Sequence, residues 1–402
     1  MKKLKKNELS AKKHFWMNDM EAIFVIMMIL IIIGMVNVFS ASFVTAEMTF
    51  KNPYFFLVRH LISIGVGALL FIVAANFNYH KLRTFVPVLM VFTLAALVFV
   101  LFMGTSVNGA RRWVGLGSMQ FQPSEIAKIV CIIMTASFLG GKIDKHRTIS
   151  LFNRTFLIVL LMAAAVEFEP DMGTAVLIGG IPVLMHFIAG MKTKWISYAL
   201  LVVGVLFGLL ITFQSYRIDR IKSWYDPWSQ SQGFGYQTVQ SLSAIGSGGL
   251  FGMGLGKGIS KYSYLPEAHT DFAFAVFSQE NGLIAVLFVF FLYAALAVYC
   301  GKIAKRAYDG FGKMLACGIM LLIVGQAAAN LYMVVGLLPV VGVPLPFISY
   351  GGTSLILNMV SIGILINIGR YAKKANKKAY NNSLERSKAS TTERRRMIHR
   401  LK

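Results

Sequence analysis

The chain has 402 residues, of which 56% are hydrophobic and only 14% charged, and its mean hydropathy is +0.64. Soluble domains carry about 25% charged residues, so an ordinary water-soluble fold is excluded. The formal net charge of +23 does not point to nucleic acid either. The basic residues sit in short clusters between apolar runs, which is a membrane-topology pattern.

In chain order, the first apolar run covers about residues 21–43. It is too long for the apolar stretch of a cleavable signal peptide and is expected to stay as the first span. Further spans are predicted over about 55–77, 82–103 and 124–139. Two short ones, about 152–168 and 172–189, form a hairpin with Glu169-Pro170-Asp171 at its turn. A seventh covers about 195–213, and after a long loop the last three cover about 272–299, 314–338 and 353–368. Runs of this length cross roughly 30 Å of hydrocarbon.

The expected fold is therefore an all-α integral membrane protein of about ten transmembrane helices, spanning residues 21–370, with a large extracytoplasmic loop at about 214–271. Residues 1–20 form a basic amino terminus. With ten spans, Lys81 and Arg83, then Lys142, Lys145 and Arg147, then Lys192 and Lys194, then Lys302, Lys305 and Arg306 all share its side. That side is the cytoplasm by the positive-inside rule, and both termini lie there. The basic tail, residues 371–402, has few apolar groups to bury and is expected to be disordered, either solvated or against anionic membrane lipid. Cys131, Cys300 and Cys317 have no metal-ligand spacing and read as packing residues.

Polar residues concentrate in three regions on the opposite side. The first holds Arg111, Arg112 and Trp113, followed by Gln122-Pro123-Ser124-Glu125 and Lys128. Arginines there run against the topology trend. A guanidinium binds phosphate oxygens in a bidentate way, although a Trp-rich interfacial anchor is the plainer alternative. Glu125 and Lys128 share a helix face; they read either as a polar cavity wall or as an ion pair locking helices together. The second region is the hairpin turn, where Asp171 suits a helix cap without excluding a second role. The third is the long loop, with Arg217, Arg220, Lys261, Glu267, His269 and Asp271 among many glycines. Unstructured loops of such length are usually functional. It is not a nucleotide-binding loop, because no Ser or Thr follows Gly256-Lys257. Asp271 alone could be a mere helix cap.

Asn108-Gly109-Ala110-Arg111-Arg112-Trp113, Gln122-Pro123-Ser124-Glu125, Glu169-Pro170-Asp171, Leu265-Pro266-Glu267-Ala268-His269-Thr270-Asp271-Phe272 and Pro346-Phe347-Ile348-Ser349-Tyr350-Gly351-Gly352 together resemble the SEDS family (shape, elongation, division and sporulation proteins). The likeness runs over about residues 21–370. Gly235-Tyr236-Gln237 and Gly254-Leu255-Gly256 set it nearer the FtsW and SpoVE branch than the RodA branch. Ser278-Gln279-Glu280 departs from the paired glutamates common in the family; only Glu280 fits.

The resemblance implies a peptidoglycan glycosyltransferase that polymerises lipid II at the outer face of the bacterial cytoplasmic membrane, during cell division and at the septum. It would work with a class B penicillin-binding protein and other division proteins. Asp271 matches the family's essential aspartate and would act as general base in an inverting transfer. Trp113, Glu125, Lys128 and Asp171 match other functional positions. Arg111, Arg112, Arg217, Arg220 and Lys261 are candidates to steady the leaving pyrophosphate, and His269 shares their compartment. A divalent cation, Mg2+ or Mn2+, is the other source of positive charge, although no strong ligand cluster marks one. An elongation or sporulation role is an alternative within the family. A lipid II flippase is the rival from another class, but it would need ionisable residues along a path to both faces.

Overall fold

The computed structural model describes residues 18–107, 110–116, 119–195, 197–198, 215–262 and 264–400. The first span begins at a defined cap: the Asn18 backbone N–H donates to the Glu21 carboxylate at 3.0 Å, satisfying one of the donors that a helix start leaves open. Helix α1 then runs over Asp19–Phe50, followed by α2 over Phe55–Asn76 and α3 over His80–Met103. A feature without any sequence signal comes next, a small antiparallel sheet of β1 (Thr105–Val107), β2 (Ala110–Leu116) and β3 (Met119–Phe121), in that order. Helix α4 (Pro123–Ile143) starts with Pro123 in its first turn, where a missing N–H costs nothing.

The expected hairpin is α5 (Arg154–Phe168) and α6 (Met172–Ile188). The seventh predicted span, about 195–213, lies almost wholly outside the described residues. The large loop is not structureless: it carries α7 (Ser215–Tyr225) and α8 (Tyr236–Gly248). The bundle closes with α9 (Ala273–Arg306), α10 (Gly310–Val334) and α11 (Gly352–Arg400). Seven of these helices are long and apolar enough to cross a membrane; the two hairpin helices, of 15 and 17 residues, are shorter. The chain is a multi-pass helical membrane protein.

Helices α4, α10 and α11 are the most enclosed, whereas α2 and α3 leave most of their apolar surface exposed, as a lipid-facing helix does. All three cysteines are buried and unpaired, in keeping with packing roles. The tail departs from expectation: α11 continues as helix to Arg400 rather than becoming disordered. The sequence after Arg370 contains neither Pro nor Gly and is rich in Ala, Lys, Arg and Glu, which favour helix.

Helix α9 is broken near its start. Gly282 sits at φ 75°, ψ −178°, a conformation open essentially to glycine alone. The backbone groups freed by the break bond to the glycine-rich loop after α8. Met253 and Gly254 N–H donate to the carbonyls of Gln279 and Glu280, both at 3.0 Å, and Leu283 N–H donates to Gly249 O at 3.0 Å. A Cβ on Gly282 would stand 2.3 Å from the Gly252 nitrogen. Irregular backbone of this kind survives at membrane depth only when protein satisfies it.

Candidate active site

Asp271 lies where α9 begins. It is not the cap of that helix: the capping position is Phe272, without a side-chain cap bond, so the Asp271 carboxylate is not consumed at the helix start. Its backbone is fixed instead. Asn330 of α10 donates Nδ2 to Asp271 O at 2.7 Å and to Val343 O at 2.8 Å, and one turn earlier Gln326 donates Nε2 to Pro344 O at 2.8 Å. Tyr350 N–H donates to His269 O at 2.9 Å. Residues 339–351 are thereby stitched beside the aspartate, and a Cβ on Gly342 would lie 3.6 Å from Asp271 Oδ2.

That connection also presses on the start of α6. A Cβ on Gly173 would be 2.2 Å from Val341 O, so the missing side chain is what lets the two segments meet. Asp171 caps α6, accepting from Thr174 N–H at 3.2 Å and from Gln122 Nε2 at 3.1 Å. Both readings offered for Asp171 are compatible with this, since its charge also reaches Asp271. Arg112 donates Nε to Glu169 O at 3.1 Å and a terminal nitrogen to Pro170 O, which ties β2 to the hairpin turn.

The electrostatic result is a carboxyl cluster edged by two arginines. Burial first, then the negative charges of Glu267 and Asp171, push Asp271 up to about 7, against the pull of Arg112 and Arg220. Glu169 is 1% exposed and neither carboxylate oxygen has a hydrogen-bond partner among the described residues. Burial and the Asp171 charge push it up to about 8, with Arg112 opposing. A carboxyl at that value holds its proton at neutral pH. Glu169 was visible in sequence only as part of a turn. The available signal was an acidic residue beside Pro170 in a chain with just 17 acidic residues.

The other predicted residues separate into groups. Arg220 donates Nη1 to Val340 O at 3.3 Å and so belongs with Asp271. Arg111 and Arg112 are neighbours on a strand and point to opposite faces; Arg111 is exposed, while Arg112 reaches the turn. Trp113 is half-buried and pairs with Thr105 across the sheet. His269 packs its ring 4.4 Å from Phe56 and 5.8 Å from Tyr350, and burial holds its pKa below the ordinary value, with Glu267 opposing. The side chain of Arg217, and Asn108, lie outside the described residues.

One expectation is corrected. Lys261 is not a free cation near Asp271. Its Nζ lies 2.8 Å from Glu280 Oε1 and 3.1 Å from Ser40 Oγ, with 3% of the side chain exposed. A buried ammonium is tolerable only when paired, and this one fastens the glycine-rich loop to α1 and α9. The Glu125–Lys128 pair is likewise buried, at 2.8 Å, and Lys128 also donates to Gln326 Oε1 at 2.8 Å. Of the two readings weighed, the structural lock prevails: the pair buttresses the glutamine that holds Pro344. For a divalent ion, no group of three or more His, Cys, Asp or Glu side chains suited to hold one occurs among the described residues.

Comparison with known proteins gives consistent relatives. A family model described as cell cycle protein, covering FtsW, RodA and SpoVE, matches residues 20–374. Stage V sporulation protein E of Bacillus subtilis (strain 168) is 38% identical over 356 residues, 87% of this chain and 96% of that protein. A probable peptidoglycan glycosyltransferase FtsW of Geobacter sp. (strain M18) is 39% identical over 343 residues, 85% of this chain and 94% of the relative. Among solved structures, a chain from a peptidoglycan synthase complex that coordinates polymerization and crosslinking superposes with a TM-score of 0.73 at 25% identity, covering 87% of this chain and 96% of that one. The rod shape determining protein RodA of Thermus thermophilus gives 0.64 at 25% identity, covering 87% and 95%.

Proposed function

We propose that this chain, which belongs to the FtsW, RodA and SpoVE family of cell cycle proteins, is a peptidoglycan glycosyltransferase that polymerises lipid II. The observation carrying the reading is the Asp271 carboxylate, freed from helix capping and pushed up to about 7. A general base works best near the operating pH, and an ordinary aspartate near 3.9 would be too weak.

In this reading Asp271 takes the proton from the 4-hydroxyl of the acceptor N-acetylglucosamine. The oxygen attacks the anomeric carbon of the donor strand from the face opposite its lipid pyrophosphate, so the configuration inverts. The bond to the pyrophosphate oxygen breaks and its electron pair leaves with the phosphate. Arg112 and Arg220, whose charges already act on Asp271, offset the charge growing there. Glu169, protonated at neutral pH, adds no negative charge to the cluster. Asp171 keeps the α6 end of the site in place.

The setting follows from the family and from topology. The basic clusters support a topology with both termini in the cytoplasm and Asp271 outside. The division septum is the proposed location, with a class B penicillin-binding protein and other division proteins as partners. The test is lipid II polymerisation by purified protein with its cognate penicillin-binding protein. Glycan strands from wild type and none from correctly inserted Asp271→Asn and Asp271→Ala are expected. Equal synthesis by all three would remove Asp271 from the chemistry. Lipid II translocation without synthesis, with the partner present, would favour the flippase reading.

A further inference from the structure

A cavity of about 470 Å³ opens within the large loop, lined in part by Arg220 of the catalytic reading. It lies between α7 and the start of α8, and its floor reaches Pro266 and Val340. Two features join it to the site. Arg220 lines the cavity and also acts on the Asp271 charge. Val340, its acceptor, is two residues from Gly342, the close neighbour of the Asp271 carboxylate.

The lining has an unusual chemistry for a protein surface. Trp224 and Phe234 present rings that are 39% and 47% exposed. Trp224 is set in place by its indole N–H, which donates to Gly336 O at 3.1 Å. Gln237, Tyr236 and Thr238, which carry an amide and two hydroxyls, also line the cavity. None of these three side chains makes a hydrogen bond to another described residue. Tyr236 and Gln237 are half-buried, so their polar groups are open to a ligand or to water. An amide offers a donor and an acceptor together, the complement of another amide.

We propose that this cavity is a saccharide subsite that seats an N-acetylated sugar of the acceptor, with Trp224 and Phe234 against its C–H faces and Gln237 paired to its acetamido group. The proposal rests on the glycosyltransferase reading and adds to it the residue that selects the acceptor. A pyranose ring has apolar axial faces and a polar rim. Aromatic walls with a few placed polar groups match that pattern. The volume lies within the 300–1,000 Å³ typical of small-ligand sites and accommodates one or two hexose rings. Gln237 stands on α8, a rigid element, which suits a group meant to discriminate. A site built to pair an amide rejects analogues that lack one, because its own polar groups are then stranded.

The test uses the full chain in detergent with two soluble probes, chitotetraose, which carries an acetamido group on every ring, and cellotetraose, which has the same backbone without it. Binding is read by saturation-transfer NMR or titration calorimetry, and lipid II polymerisation is measured in parallel. Chitotetraose is expected to bind at least tenfold tighter than cellotetraose. Gln237→Leu should abolish that preference and raise KM for lipid II several-fold with little change in kcat, and Gln237→Asn should recover part of it. Phe234→Ala should weaken both probes alike. If wild type polymerises lipid II but binds neither probe, or both equally, or if Gln237→Leu keeps the wild-type KM, the subsite is wrong and the glycosyltransferase reading stands. If wild type discriminates between the probes yet makes no glycan, the saccharide site stands and the polymerase reading falls.

Discussion

The protonation state of Asp271 offers the sharpest check on the proposed chemistry. Its carboxyl is raised to about 7, and a base works only in the ionised form. About one molecule in ten is then competent at pH 6 and about nine in ten at pH 8. The polymerisation rate should rise close to tenfold between those values and then level off, and it should be lost as pH falls through about 7. Because Glu267 contributes the largest same-sign charge, Glu267→Gln should move the midpoint to lower pH. Arg220→Ala removes an opposing charge and should move it higher. Initial rates of glycan synthesis from lipid II over pH 5–9, with wild type and both variants side by side, separate enzyme titration from substrate titration, since the substrate is common to all. A wild-type midpoint near the ordinary aspartate value of about 3.9, or a Glu267→Gln midpoint that moves upward, would refute the argument.

Other outcomes follow from the packing. Lys261→Met leaves Glu280 buried without its cation, a loss of about 3–5 kcal/mol, and adding Glu280→Gln should return most of it; thermal unfolding in detergent measures both, and a single-variant loss under about 1 kcal/mol would argue against a buried pair. Gly282→Ala places a side chain 2.3 Å from the Gly252 nitrogen at φ 75°, so limited proteolysis should show faster cleavage in the glycine-rich loop. Gly173→Ala should push residues 339–351 away from α6, because its Cβ would meet Val341 O at 2.2 Å. Polymerisation is expected to fall at least tenfold in protein that still purifies as a single species, since small displacements of reacting groups are expensive.

Membrane spans were legible in the sequence because each announces itself within some twenty residues through composition alone. The hairpin turn at Glu169-Pro170-Asp171 was legible for the same reason: Pro and an acidic cap punctuate a local pattern. Asp271 stood out by its company and by resemblance. What the sequence could not disclose is set by distance along the chain. Ser40 and Glu280 are 240 positions apart, and nothing local says that Lys261 joins them rather than facing a substrate. The same holds for Gln326, whose tie to Lys128 decides that the Glu125–Lys128 pair is scaffold. Strands β1 and β3 escape because a strand of three residues shows no readable alternation. The helical tail is not legible from its low hydrophobicity, which by itself reads as disorder; its Ala, Lys, Arg and Glu content favours helix.

The break at Gly282 gives Asp271 a mechanical setting that its hydrogen bonds alone do not convey. The segment between them is about ten residues long, a rigid arm of roughly 15 Å carrying the carboxylate at its tip. A turn of about 10° at such a joint would swing that tip by nearly 3 Å, about the length of one hydrogen bond. The Ser40–Glu280–Lys261 fastening sits close to the pivot, where small forces would otherwise be magnified. Holding the fulcrum still keeps the carboxylate in register.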